Sequence, residues 1–255
     1  MSFNYSVQLY SVRTVLQQDP LGTLHKLRAM GYTGVEGFGS FSFAAQDVQY
    51  ALSDAGLKLV GYHTPWGALQ ADKIDSTMDY FKSVGNRYVI VPALPAELTS
   101  TIDDWKKIAG EFNVISKRLQ DQGMILGYHN HHQEFQMMEG QLPFQVFFDN
   151  TDPAIVVQID NGNALHGNGD FMAMMRRYPG RAKSVHLKPY SASGGYGPVI
   201  GEDDIDWGDF LRFCRDQGGT EHYIVEYEDE KTHPQLVGVE LCIKGLRSLE
   251  EAGKI

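Results

Sequence analysis

The chain has 255 residues, 42% of them apolar, and a formal net charge of −10. That size and composition allow one large buried core and argue against disorder, while an acidic surface without a lysine- or arginine-rich run argues against a nucleic-acid partner. No apolar stretch reaches about 18 residues and no charged-then-apolar leader precedes the first strand-like run, so no membrane span and a cytoplasmic location are expected.

Strand-like runs recur along the chain: SVQLYS (6–11), TGVEG (33–37), LKLVGYH (57–63), RYVIV (87–91), MILGYHN (124–130), AIVVQID (154–160), AKSVHLK (182–188) and HYIVEYE (222–228). Helical patterns separate them. The clearest spans 100–122, where Ile102, Trp105, Ile108, Ala109, Phe112, Ile115 and Leu119 recur at three- and four-residue steps. Gly31, Gly56, Gly85 and Gly123 each stand between a helical pattern and the next strand, the place of a C′ glycine. This alternation predicts a (β/α)₈ TIM barrel, one domain over residues 1–255, in preference to an open doubly wound sheet with its glycine-rich phosphate loop. Cys214 and Cys242 fall in helix-like segments and are read as buried thiols of a reducing compartment. PYSASGGYGPVIGEDDIDW (189–207) is read as a mobile loop at the catalytic end, either a substrate lid or a surface excursion. Its Glu202, Asp203, Asp204 and Asp206 are read as a solvated acidic face.

In a barrel of this kind the C-terminal ends of the strands carry the active site. Four metal-ligand types fall at or just past such ends: Glu134, Asp160, His186 and Glu226. Two Glu, one Asp and one His make an oxygen-rich site for one divalent metal, with Mn²⁺ favoured and Mg²⁺, Co²⁺ or Zn²⁺ as alternatives. An Asp after the apolar run IVVQI is costly to bury without a charged partner, although the following Asn161-Gly162-Asn163 also suits a turn that Asp160 would begin. Glu226 and Glu228 share one face, and Glu226 lies deeper. His63, His129, His131 and His186 cluster at strand ends, with His132 adjoining, and imply a polar, substrate-sized pocket; strand alternation puts His129 and His131 on one face, Asn130 and His132 on the other. Glu36 and Lys188 also lie near strand ends, where a lysine can stabilise an oxyanion or pair with Glu134 or Glu226. Phe147, Phe148, Met174 and Met175 are read either as core or as the contact of a homodimer.

Beyond these single features, VQLYSVR (7–13), MGYTGVEGF (30–38), DAGLKLVGYH (54–63), LGYHNHHQEF (126–135), VQID (157–160), VHLKP (185–189), IDW (205–207) and IVEYE (224–228) follow one another in an order and spacing that resembles the sugar phosphate isomerase/epimerase-like family. Its barrel is shared with xylose isomerase and endonuclease IV. The resemblance implies a divalent metal held by Glu, Asp, His and Glu, here Glu134, Asp160, His186 and Glu226. The chain departs from related sugar epimerases in strand five, where Tyr128 and His129 stand in place of the first metal Glu; His129 or His131 can therefore replace Glu134. Pro189 stands where many relatives have Asp. The acidic charge and a small ligand set disfavour the endonuclease branch.

The function expected is that of a metal-dependent sugar isomerase or epimerase, moving a proton through an enediolate at a metal-chelated keto-sugar. Glu134 and Glu226 would remove and return the proton, with His131 and Lys188 polarising the oxyanion. Glu36, His63, His129 and Lys188 would contact the substrate. A 3-keto-glycoside or inosose-type lyase or dehydratase using the same metal is the alternative, and a non-catalytic sugar-binding protein stands third. With no phosphate cradle evident at the strand ends, an unphosphorylated sugar is favoured.

Overall fold

The computed structural model describes residues 3–39 and 43–255. Its strands are β1 (Tyr5–Gln8), β2 (Gly34–Phe38), β3 (Lys58–His63), β4 (Tyr88–Val91), β5 (Ile125–His129), β6 (Val156–Gln158), β7 (Ser184–Leu187) and β8 (His222–Val225). The helices are α1 (Arg13–Gln18), α2 (Pro20–Met30), α3 (Ala45–Ala55), α4 (Ile74–Val84), α5 (Ile102–Gln120), α6 (Pro143–Asp149), α7 (Asn161–His166), α8 (Phe171–Arg177), α9 (Trp207–Phe213) and α10 (Gln235–Glu251). The strands pair in parallel in the order β6-β5-β4-β3-β2-β1-β8-β7. At the β6–β7 seam a parallel bridge sets Asp160 opposite His186, and the His186 N–H donates to the Ile159 carbonyl at 2.9 Å. This is the eight-stranded TIM barrel expected from the alternation of patterns.

The helices follow their sequence signals. Thr101 and Asp104 form a capping box at the start of α5, whose buried face carries Ile102, Trp105, Ile108, Ala109, Phe112 and Leu119. Each large apolar side chain buried there contributes roughly 1.5–3 kcal/mol. Gly31, Gly56, Gly85 and Gly123 all adopt positive φ, as their place after a helix demands.

Alternation along the strands divides their side chains between two environments. Val7, Val35, Val89, Leu126, Val157, Val185, Leu187 and Val225 enter the core shared with the helices. Tyr88, Ile90 and Val156 form a separate apolar cluster. Two residues beyond Val156, the barrel interior turns polar. Gln8, Glu36, His63, His129, Gln158 and His186 are all buried, and the bond from Gln158 to Glu36 joins β6 to β2, which are not neighbours, across the barrel.

Several expectations are corrected. The strands are shorter than their apolar runs: β1 gives way at Leu9 to a 3₁₀ turn (Leu9–Val12), and Asp160, Lys188 and Glu226 all lie just beyond regular strand. Phe147, Phe148 and Met175 are core residues with at most 1% exposure, so they supply no subunit contact. The acidic loop residues do more than face solvent. Asp203 accepts from the Trp207 indole at 2.9 Å, Asp204 from Ala192 N at 2.7 Å, and Asp206 caps α9 through Asp209 N. Both cysteines are buried and unpaired. Among the described residues, no helix is long and apolar enough to cross a membrane.

Candidate metal centre and active site

The site is assembled by asparagine clamps at two strand ends. Asn130, next after β5, accepts from Asp160 N at 2.9 Å and donates to the Asp160 carbonyl at 3.0 Å. Asn161 grips Lys188 in the same way, accepting from its N–H at 2.9 Å and donating to its carbonyl at 3.1 Å. Asp160 serves both roles read from sequence. Its Oδ1 accepts from Asn163 N at 2.7 Å and caps α7. Its Oδ2 is buried without a hydrogen-bond partner among the described residues.

That orphaned oxygen lies 3.8 Å from His129 Nε2, 3.9 Å from His186 Nδ1 and 3.9 Å from Lys188 Nζ. Glu226 Oε2 stands 2.9 Å from His186 Nδ1 and 3.5 Å from Lys188 Nζ. His129, Asp160, His186 and Glu226 each present a ligand atom, all within 4.8 Å of one another and all buried. Three buried carboxylates meet here: Asp160 and Glu226 lie beside Lys188, and Glu36 and Glu226 beside His186. An excess of buried negative charge is costly unless a proton or metal compensates it. The donor set and the orphaned oxygen both fit a divalent cation. The second imidazole moves the preference from Mg²⁺ toward Mn²⁺, Co²⁺ or Zn²⁺.

The electrostatics follow from burial and close charges. Burial pushes the Asp160 carboxyl up to about 7, against the pull of Lys188. Burial acts in the same sense on Glu226, but Lys188 and His186 overcome it and hold that carboxyl well below the ordinary range. Burial also opposes charge on His186; Glu226 and Glu36 together outweigh it and raise the imidazole to about 10. His129 is pushed well down by burial and by His186 and His63, so it is neutral at pH 7. Lys188 is raised above its usual value, because Glu226, Asp160 and Glu228 outweigh desolvation.

The other residues singled out from sequence fall around this cluster. His63, His129 and His186 form a knot of rings, with His63 stacked on His186 at 5.0 Å between centroids. The His131 ring is 5.2 Å from that of His129, although β5 ends before it, and His132 turns instead to His166. Glu134 stands outside the group of four: its Oε1 accepts from the Tyr128 hydroxyl at 2.6 Å and its Oε2 from His131 N at 2.8 Å. Glu36, expected at the substrate, is fully buried, and its oxygens accept from Gln8, Gln158 and His186. Lys188 Nζ is bonded to Glu228, a partner not considered from sequence, and lies 5.0 Å from the Tyr196 ring centroid. Tyr196 belongs to the 189–207 loop, which reaches the catalytic end: its hydroxyl donates to Asn163 Oδ1 at 2.8 Å, and the Tyr227 hydroxyl donates to the Gly197 carbonyl at 2.8 Å.

Gln8, Gln158 and Ser184 were missed. The signal was present in the period of two: Gln158 shares a face with Asp160, and Ser184 with His186.

An eight-stranded parallel barrel with a buried His/Asp/Glu cluster at the C-terminal strand ends defines a TIM-barrel enzyme with a potential metal centre. The chain belongs to the xylose isomerase-like TIM barrel family, whose pattern matches residues 24–250. Its structure is similar to that of a sugar phosphate isomerase/epimerase from Parabacteroides distasonis, with a TM-score of 0.81 and 26% identity over 96% of this chain and 93% of that one. In sequence it is 21% identical to the inosose dehydratase of Clostridium perfringens over 205 residues, 68% of this chain and 67% of that protein. The IOLI protein, solved with a bound zinc atom, shares the fold at a TM-score of 0.69 and 10% identity, over 97% of this chain and 98% of its own.

Proposed function

We propose that this protein is a divalent-metal-dependent enzyme that removes a proton next to the carbonyl of a keto-sugar or inosose-like cyclic ketone. The observation that carries this reading is Asp160 Oδ2, buried and unpartnered among His129, His186 and Lys188. His129, Asp160, His186 and Glu226 would hold the cation, with His129 in the place that sequence assigned to Glu134. When bound, the cation supplies Lewis-acid polarisation of the substrate carbonyl.

Glu226 is the proton acceptor in this reading: it stands just past β8, 3.5 Å from Lys188, whose charge keeps it ionised at the cost of some basicity. Lys188 stays protonated and oriented by Glu228, ready to stabilise an oxyanion or protonate a departing oxygen.

For the second half of the reaction we favour β-elimination, the chemistry of a lyase or dehydratase. A two-base epimerase needs a second carboxylate across the sugar, and the one expected there, Glu134, has both oxygens engaged. Glu226 and Lys188 instead set a base and an acid 3.5 Å apart on the β7–β8 side. The similarity to an inosose dehydratase is in accord with this. Isomerisation is the second reading, supported by the sugar phosphate isomerase/epimerase likeness, because one acceptor on one face can return its proton to the neighbouring carbon.

Metal content by plasma mass spectrometry, with Glu226→Gln alongside, tests the centre: about one equivalent in the wild type, lost in the variant, is expected. A 3-keto-glycoside, an inosose and a free ketose in deuterated solvent then separate the outcomes. Release of a leaving group marks elimination, formation of the isomeric sugar without release marks isomerisation, and deuterium exchange reports proton removal in either case. Protein that takes up neither Mn²⁺ nor Co²⁺ would leave only a sugar-binding role.

A further inference from the structure

We propose that Gln158 is a positioning residue that holds His129 in the tautomer whose Nε2 is offered to the metal. This rests on reading His129, Asp160, His186 and Glu226 as ligands.

The argument follows hydrogens from a group whose role is unambiguous. The backbone N–H of Tyr10 can only donate, and it donates to Gln8 Oε1 at 3.1 Å. Gln8 therefore turns its Nε2 to Glu36 Oε2, 2.8 Å away. Glu36 as a carboxylate only accepts, so the amide atom facing its Oε1 at 2.8 Å is the nitrogen of Gln158, which also donates to Ser184 Oγ at 2.8 Å. Gln158 Oε1 is then left facing His63 Nε2 at 2.8 Å and His129 Nδ1 at 3.2 Å. Both ring nitrogens must carry the hydrogen. In a neutral imidazole that makes His129 Nε2 the lone-pair atom, and this is the nitrogen 3.8 Å from the orphaned Asp160 Oδ2.

The same chain acts on His186. Glu36 Oε2 accepts from His186 Nε2 at 2.6 Å, so Nδ1 is the nitrogen turned to Glu226 and Asp160. Gln158 and Glu36 thus orient two imidazoles of the group of four without belonging to that group themselves. Partners of this kind are worth about 10–100-fold in metal affinity.

The test uses the full-length protein and zinc, which is diamagnetic. Long-range proton–nitrogen NMR on the metal-free protein reads which nitrogen of His129 is protonated, and chelator competition reads zinc affinity. The expected result is Nδ1–H in the wild type, mixed tautomers in Gln158→Met and zinc binding about 10–100-fold weaker in that variant. Gln158→Glu, whose neutral carboxyl can give its O–H to Glu36 and its carbonyl oxygen to the histidines, recovers most of the affinity. The proposal is overturned if wild-type His129 carries its proton on Nε2, or if Gln158→Met, folded by circular dichroism, binds zinc as tightly as wild type. Should that variant fail to fold, the wild-type tautomer decides. Absence of zinc uptake by the wild type would instead mark failure of the metal reading on which the proposal rests.

Discussion

His186 Nε2 and Glu36 Oε2 meet 2.6 Å apart across the barrel, both fully buried, joining β7 to β2 beneath the ligand cluster. The contact explains why a carboxylate sits at zero exposure in the second strand: it is the acceptor on which Gln8, Gln158 and His186 converge.

Removing that acceptor takes a hydrogen bond from each of Gln8, Gln158 and His186, and only Gln158 keeps a second partner for the same nitrogen, Ser184. Glu36→Ala is expected to destabilise the fold by about 3–5 kcal/mol, the range for breaking a buried charged pair. Urea unfolding monitored by tryptophan fluorescence checks this. A loss under about 1 kcal/mol would mean that water or a rearranged Gln8 replaces the carboxylate.

The identity of the ligand on the β5 side separates two variants. Glu134→Gln should keep about one metal equivalent, because the Glu134 oxygens bond to Tyr128 and His131 N rather than facing the cluster. His129→Ala should lose the metal. Plasma mass spectrometry on the two proteins decides, and the opposite pattern would restore Glu134 as ligand.

Lys188 lies 3.5 Å from Glu226 and 3.9 Å from Asp160, where its charge competes with a cation. Lys188→Met is expected to leave metal affinity unchanged or higher while turnover falls by about 10²–10⁴, the usual contribution of a positioned acid. Calorimetric metal titration and steady-state rates on the variant read the two effects separately. Parallel loss of metal and rate would show that Lys188 only maintains the site.

Asp203 offers a pH test away from the cluster. Burial raises its carboxyl from 3.8 to about 6, against the hydrogen bonds from Ile205 N and Trp207. Between those values the folded state holds more protons than the unfolded, so this group's contribution to stability falls as pH rises through that window and stays lost above it. Asp203→Asn keeps an acceptor oxygen and removes the ionisation. Melting temperature at pH 7 minus that at pH 4 should be more positive in the variant than in the wild type; an unchanged difference would count against a raised Asp203.

Gly162 packs against the same lysine from another side. A Cβ there would stand 2.7 Å from the Lys188 carbonyl and 3.0 Å from its Cβ. Gly162→Ala should therefore displace Lys188 and destabilise by roughly 1–3 kcal/mol, as overpacking does. Turnover should fall with metal content intact, measurable by rate and metal assays on one preparation.

The period-two and period-3.6 patterns, together with glycines such as Gly56 and Gly85 after helices, were sufficient to predict eight strand–helix units and their closure into one barrel. Local backbone preference and hydrophobic alternation are written residue by residue, and parallel strands joined by helices have few ways to pack. The same logic placed Asp160, His186, Lys188 and Glu226 at one end. Which atoms meet there was decided by tertiary structure. Glu134 and His129 are five residues apart and chemically eligible alike. Only the Tyr128 hydroxyl and the His131 N–H, brought to Glu134 by the 3₁₀ turn at Gln133–Phe135, turn that carboxylate to other partners. Sequence likewise offers Glu36 as a substrate contact, whereas closure of the barrel sets its oxygens against His186 and Gln158. The order and approximate place of the strands are predictable because they depend on neighbours in sequence; hydrogen-bond partners across the barrel, such as Gln158 with Glu36 over 122 positions, depend on closure of the whole ring.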